Sequence, residues 1–146
     1  MTETIWKSPI SLELVNKLGT NCCNGYMGIE VIEVGPDFLK ARMPVDHRTK
    51  QPMGLLHGGA SVVLAETLAS IGANFVLDRR DQACVGQEIN ANHLRSATEG
   101  WVYGTSRPVH IGRRTQVWET HITDEADRLV CISRMTLAVI DRPKED

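Results

Sequence analysis

Apolar positions crowd most densely into residues 58–77, GGASVVLAETLASIGANFVL, and Glu66 is the one charged residue there. Leu, Ala and Glu favour helix, and the length suits a helix better than a strand. The apolar residues lie all round rather than along one stripe, which predicts a helix buried on most sides. A membrane span would need about 20 predominantly apolar residues. This run also holds Glu66, Gly72, Asn74 and several hydroxyls, so a core helix is the better reading. Val62, Glu66 and Ser70 share one face at i, i+4 spacing. A carboxylate in a buried helix is costly unless it is paired or functional. Two readings stay open: Glu66 bonded to Ser70 or to a backbone group, or Glu66 as a working acid.

The rest of the chain alternates between short patterns. Residues 11–18 predict a short helix with Leu12, Val15 and Leu18 on one side and Gly19 as its stop. Residues 21–25 predict a turn or a short helical piece. Residues 28–34 (GIEVIEV) alternate as a strand does, Gly35-Pro36-Asp37 is turn chemistry, and residues 38–43 complete a hairpin. A polar loop over residues 44–50 leads to Gln51. After a charged loop at residues 78–81, strands are predicted over residues 84–94, 101–109, 115–123 and 129–140. Gly104 is taken to mark a bend, and residues 110–113 form a short connection. In the strand over 115–123, Val117, Glu119 and His121 face one way, and Gln116, Trp118, Thr120 and Ile122 the other. Strands gathered around one segregated helix imply an α+β architecture, a curved antiparallel sheet around a long helix. The other face of such a sheet then needs cover, which a second subunit could supply. The reading is a single domain over residues 1–146, with a loose tail over about 141–146.

The start of the long helix carries chemistry. Residues 51–59 read QPMGLLHGG. Paired glycines let a ligand approach the backbone, and a helix N-terminus offers free N–H groups and the positive end of the macrodipole. Such an end can stabilise a developing oxyanion; a tight turn with no ligand is the plainer alternative. Gly58 and Glu66 stand eight residues apart, or about 12 Å along a helix. Both cannot touch one carbonyl from the same chain. If they serve one site, Glu66 meets the helix start of another subunit, and a symmetric dimer has two such sites.

Composition narrows the class. The chain has 146 residues, 23% charged, with a net charge of −2. That gives no electrostatic case for nucleic acid as a partner. No secretory leader is visible at the N-terminus. Cys22, Cys23, Cys84 and Cys131 match no common zinc spacing, and an adjacent pair is a poor disulfide framework. A reduced, cytoplasmic protein is expected, with its cysteines in core or loop and no metal.

Gln51-Pro52, Gly54 and His57-Gly58-Gly59, followed by Leu64-Ala65-Glu66, resemble the hotdog-fold acyl-CoA thioesterases of the 4-hydroxybenzoyl-CoA and PaaI-like group. Residues 43–46 (MPVD) with Arg48-Thr49, residues 90–93 (NANH) and Gln116-Val117-Trp118 are similar to the subgroup of 1,4-dihydroxy-2-naphthoyl-CoA hydrolases and the proofreading thioesterase of enterobactin synthesis. The resemblance covers about residues 5 to 140. It implies a hotdog fold and Glu66 as catalytic carboxylate, either nucleophile or general base. It further implies that Gly58 gives its N–H to the thioester oxygen, that Gln51 orients or polarises that carbonyl, that His57 sits beside it, and that Ser70 helps to place water. Gly86, His93, Leu94, Arg95 and Ser96 match a segment lining the CoA and acyl site. His110, Ile111, Gly112, Arg113, Arg114 and Thr115 match a second CoA-binding segment. Met53 stands where that group would have Phe, which bears on the acyl pocket rather than on the chemistry. The resemblance implies a homotetramer, a dimer of dimers with shared sites, and no cofactor, since CoA belongs to the substrate. An acyl or aryl carrier protein is a further candidate partner.

A thioester is activated enough for one carboxylate and an oxyanion hole to suffice. Arg95, Arg113 and Arg114 could pair with CoA phosphates or simply be solvated. Trp6, Trp101 and Trp118 read as packing residues. Two other activities compete with hydrolysis. A hotdog dehydratase would also use a helix acid and a His, but the acid here lies in thioesterase register. A non-catalytic acyl-CoA binder would have no evident need for Glu66.

Overall fold

The computed structural model describes residues 3–144. In chain order it runs α1 (Leu12–Leu18), α2 (Cys23–Tyr26), β1 (Glu30–Val34), β2 (Leu39–Pro44), α3 (Gly58–Phe75), β3 (Gln82–His93), β4 (Trp101–Ile111), β5 (Thr115–Thr123) and β6 (Leu129–Asp141). The strands form one antiparallel sheet in the order β1-β2-β4-β5-β6-β3. α3 contacts five of the six strands, which is the wrapped-helix arrangement expected from the sequence. No helix among the described residues is long and apolar enough to cross a membrane.

Enclosure of α3 follows from its residues. From Ala60 to Phe75 no position is exposed. Leu64 and Leu68 are fully buried, each stabilising the fold by about 1.5–3 kcal/mol. Small residues let the sheet come close. A Cβ on Gly72 would stand 2.6 Å from the Trp118 ring. Trp118 is itself fully buried; its Nε1–H donates to Gln116 Oε1 at 2.8 Å, and Gln116 Nε2 donates to the Ala73 carbonyl at 3.1 Å. This chain satisfies each polar atom that the Trp and Gln bring into the core. Trp6 stacks on Trp118 with ring centroids 6.3 Å apart, and Arg42 lies over Trp101, so the tryptophans pack as expected.

Several local expectations hold and several shift. Ser11 caps α1 by accepting from Leu14 N–H, and Gly19 closes it with a right-handed φ of −87°, so its stop does not depend on a left-handed glycine. β5 buries Gln116, Trp118, Thr120 and Ile122, the face that its alternation gives. Gly104 marks no bend. It pairs in register with Ile122, and its missing side chain makes room for Leu68, whose Cδ1 would meet a Cβ there at 3.0 Å. The irregularity of β4 falls between Pro108 and His110. His110 and Ile111 therefore belong to the strand, and the connection to β5 is shorter than expected. In the loop over residues 44–50, Val45 and Thr49 are buried; Thr49 Oγ1 donates to the Pro44 carbonyl at 2.7 Å and so fixes the approach to Gln51.

The chain ends brace α3. Lys7 and Ser8 N–H both donate to the Phe75 carbonyl, and the Ser8 hydroxyl to the Leu77 carbonyl, occupying acceptors at the helix C-terminus. The tail is held at its beginning: Asp141 closes β6 and Arg142 N–H donates to the Asp81 carbonyl. Residues 145 and 146 of that tail lie outside the described residues.

β1 and β3 are the sheet edges and differ sharply. β1 is five residues long and carries two glutamates, while β3 is twelve residues long with Glu88 as its one charge. Among the described residues β3 pairs only with β6, and positions 85–88 and 92–96 are exposed.

Cys84 and Cys131 are buried and Cys22 and Cys23 exposed. Burial pushes the Cys84 thiol up to about 11 and raises Cys131 in the same direction. The thiolate is the reacting form. A disulfide reagent at neutral pH should therefore titrate two thiols rapidly in the folded protein and four after denaturation. Rapid reaction of all four in the native state would contradict the core placement.

Candidate active site

α3 begins at a crossing of backbone segments. Leu56 N–H donates to the Ala97 carbonyl and His57 N–H to the Thr49 carbonyl. These bonds stop the chain moving where the helix starts. His57 is the N-cap, and its Nδ1 accepts from Gly59 N–H at 2.8 Å. Accepting there puts the proton of a neutral ring on Nε2. The His57 carbonyl takes Ala60 and Ser61 N–H. Of the first-turn donors, Gly58 N–H alone has no partner among the described residues. It also lies at the positive end of an 18-residue helix.

The two glycines answer to two imidazoles. A Cβ on Gly58 would stand 2.8 Å from His93 Nε2, and one on Gly59 would stand 2.9 Å from the His57 ring. Both rings press against the helix start, and a side chain at either position would push one away. Gln51 lies beside them, with its side-chain carbonyl accepting from Met53 N–H. That leaves the Gln51 amide NH2 as a second free donor. Gln51, Gly58, His93, Leu94, Arg95 and Ser96 line one cleft of about 350 Å3. Met53 is 80% exposed and is not among the residues that line this cleft. Leu55, Leu56, Ser61 and Val130 line the same cleft and were not singled out in the sequence. Val130 arrives through a pairing that only the fold reveals, its carbonyl accepting from Leu94 N–H at 2.8 Å.

Glu66 is elsewhere. It is half-buried two turns along α3, and a Cβ on Gly86 would stand 3.1 Å from its Oε1. Among the described residues nothing hydrogen-bonds its carboxylate, so Glu66 is not a core acid paired with Ser70. Ser70 is one turn further on, and its carbonyl accepts from Asn74 Nδ2 at 2.8 Å. The same Asn74 side chain accepts from Cys84 N–H at 2.9 Å, stapling β3 to α3 just before Gly86. His110 to Thr115 form the tip of the β4–β5 hairpin. Gly112 N–H closes it on the Thr115 carbonyl, and the missing Gly112 side chain makes room for the His110 ring. Thr115 is in register with Ala138, and Ala138 with Val85, so this tip lies at the Gly86 end of the sheet. Arg95, Arg113 and Arg114 are exposed and unpaired among the described residues.

One chain thus carries two separated sets. The donors, Gly58 and Gln51 with His57 and residues 93–96, sit at the start of α3. The acid, Glu66, sits beside Gly86 and one turn from Ser70, with the hairpin tip at the same end of the sheet as Gly86. The first set can bind an oxyanion, and the second can supply a nucleophile or base. Among the described residues no three His, Cys, Asp or Glu side chains group closely enough to hold a metal ion.

Comparison with known proteins places this arrangement. Residues 53–131 match the thioesterase superfamily. The chain is 52% identical over 136 residues to the 1,4-dihydroxy-2-naphthoyl-CoA hydrolase of Escherichia coli K12, covering 93% of this chain and 99% of that one. It is 47% identical over 136 residues to a proofreading thioesterase of Cronobacter turicensis, covering 93% and 98%. Among solved structures, a thioesterase of Haemophilus influenzae superposes with a TM-score of 0.94 at 44% identity, over 97% of this chain and 99% of that one. A thioesterase of Pseudomonas aeruginosa, solved as a mutant, superposes with a TM-score of 0.93 at 41% identity, over 95% and 100%. These relatives carry hydrolase or thioesterase names, which decides for hydrolysis over the dehydratase and binding-module readings. With its helix wrapped by an antiparallel sheet and its donors at the helix start, this chain belongs to the hotdog thioesterase superfamily and is a thioester hydrolase.

Proposed function

We propose that this hydrolase acts on aryl-acyl thioesters of CoA, in the manner of a 1,4-dihydroxy-2-naphthoyl-CoA hydrolase, at sites shared between two subunits. The observation that carries the shared site is β3. It is a long edge strand with a single charge, its outer backbone unpaired, the donor set at its His93 end and the acid set at its Gly86 end. Such an edge invites pairing with another chain. Antiparallel pairing of two β3 strands about a two-fold axis between Ile89 and Asn90 sets Gly86 of each chain opposite His93 of the other. Each Glu66 then faces the Gly58 N–H and the Gln51 amide of its partner. Resemblance extends this dimer to a dimer of dimers.

In that site the thioester oxygen accepts from Gly58 N–H and the Gln51 amide, donors fixed before the charge develops. Glu66 attacks the carbonyl carbon, or takes a proton from a water that attacks it. The C–S bond breaks as the tetrahedral centre collapses, and CoA leaves as thiolate. By the first route, water then cleaves the acyl–Glu66 anhydride; by the second, Glu66 passes its proton to the sulfur. Both routes give one acid and one CoA with no cofactor. Ser70 helps to place the water, and His93, Leu94, Arg95, Ser96 and the hairpin tip His110–Thr115 bind the CoA and acyl groups. A cytoplasmic location goes with a CoA substrate.

The aryl preference rests on the relatives: one is named for an aryl-CoA, and another is a proofreading thioesterase. A carrier-protein-bound aryl group is therefore the second reading. The deciding experiment is thiol release across aryl-CoA, fatty-acyl-CoA and aryl-carrier-protein thioesters. Aryl-CoA esters should be cleaved fastest; a clear preference for the carrier protein or for fatty-acyl-CoA would replace this reading.

Glu66→Ala should retain its fold and lose about 10²–10⁴ in kcat. Undiminished turnover in the folded variant would remove Glu66 from the mechanism. Mixing Glu66→Ala with an inactive Gly58→Val chain should restore part of the activity once subunits exchange, because hybrid dimers hold one intact site. No recovery despite demonstrated exchange would refute the shared site.

A further inference from the structure

Antiparallel pairing leaves alternate residues of an edge strand with both backbone groups turned outward. Cys84 is such a residue on β3. It stands opposite Val139 of β6, and Val139 N–H donates the other way, to the Arg114 carbonyl at 2.9 Å. Cys84 therefore turns its N–H and carbonyl away from β6, toward the free edge. Those two groups are not left open. Asn74, in the last turn of α3, reaches both: its Oδ1 accepts from Cys84 N–H at 2.9 Å, and its Nδ2 donates to the Cys84 carbonyl at 3.3 Å. A further bond, from Nδ2 to the Ser70 carbonyl at 2.8 Å, fixes which way the amide points. One carboxamide offers an acceptor and a donor much as a residue of a neighbouring strand does. At Cys84 the edge is thus already paired, by a side chain of its own chain.

The register is regular from Cys84 to Gly86, so Gly86 is the next residue to face outward. The open edge begins there, beside Glu66 Oε1. It ends after His93, where Leu94 and Arg95 N–H both donate to the Val130 carbonyl and the chain turns in toward β6. The His93 ring occupies the space a Gly58 side chain would take. The stretch left free therefore runs from the acid to the donors. Unblunted edges accept added strands, and native sheets limit where they can pair. We propose that Asn74 is an edge stop, which keeps the β3 strand of a second copy of this chain from advancing past Gly86 and so holds each Glu66 opposite Gly58 of the partner subunit. The occupant is a second copy because the two ends of the free edge carry the two halves of one site. This role rests on the shared site proposed above.

A slip of one residue would turn one face of β3 to the other side, so alternative registers differ by steps of two residues, or about 7 Å along the strand. A spin label on the exposed Cys23 of a Cys22→Ser chain reports that step between subunits. In this parent chain the inter-subunit distance distribution should be narrow. In Asn74→Ala it should broaden or split by several ångströms, with kcat at least about tenfold lower as Glu66 loses its place opposite the donors. The circular dichroism spectrum and Tm show whether the variant is folded; Asn74→Ser, whose single hydroxyl cannot fill both positions, is the second variant. If Asn74 only ties β3 to α3, Tm falls while the distances and the kcat measured well below Tm stay as in the parent. That result overturns the stop and leaves the shared site standing, and so does a broad distribution in the parent itself, with Asn74 in place. A parent chain that sediments as a monomer while turning over substrate removes the shared site and the stop with it.

Discussion

Enclosure of α3 is the constraint on which the rest depends. A helix surrounded by a curved sheet can expose little except its ends and any stretch where the sheet opens. Ala65, Ala69, Gly72 and Ala73 keep its surface low enough for Trp118 to lie against it, and Gly104 does the same from the sheet side. With the middle closed, chemistry is confined to two places. One is the first turn, whose N–H groups have no partners within the helix. The other is the Glu66 face, where Gly86 presents no side chain to cover the carboxylate.

The first turn shows how a cap can leave a donor free. The His57 ring takes Gly59 N–H and its carbonyl takes the two that follow, so among the described residues the first turn is satisfied everywhere except at Gly58. Ordinary side-chain capping would leave its free donors to water. Here the His93 ring occupies the space a Gly58 side chain would take, and Gln51 lines the same cleft. Preorganisation of this kind costs nothing further when charge develops on an oxygen.

Much of this was legible in the sequence because it is local. The helix was readable from its apolar run and single acid, and the buried face of β5 from alternation over nine residues. The separation of Gly58 from Glu66 needed only the helical rise. What could not be read depends on register. The irregularity between Pro108 and His110 breaks the phase of β4, so a strand that continues through Ile111 looked finished at Val109. Gly104 looked like a bend because nothing nearby in the chain announces Leu68 above it. The paired glycines suggested close approach of a ligand. Their nearest neighbours are two histidines, one two residues away and one thirty-five positions on in the fold's pairing.

The sheet order has a consequence for how the protein is made. β3 is synthesised before β4 and β5 yet pairs with β6, the last strand in the chain. On the ribosome it must therefore wait, with both edges open, until β6 has emerged. Long-range pairing of this kind is slow and leaves unpaired strands available to other chains. The composition of β3 suits that wait. Gln87, Glu88, Asn90 and Asn92 keep much of it polar, while Ile89, Ala91 and Cys84 supply modest apolar surface for its eventual partner. A strand richer in Val and Ile would pair more tightly in the finished sheet but would be a hazard in the nascent chain.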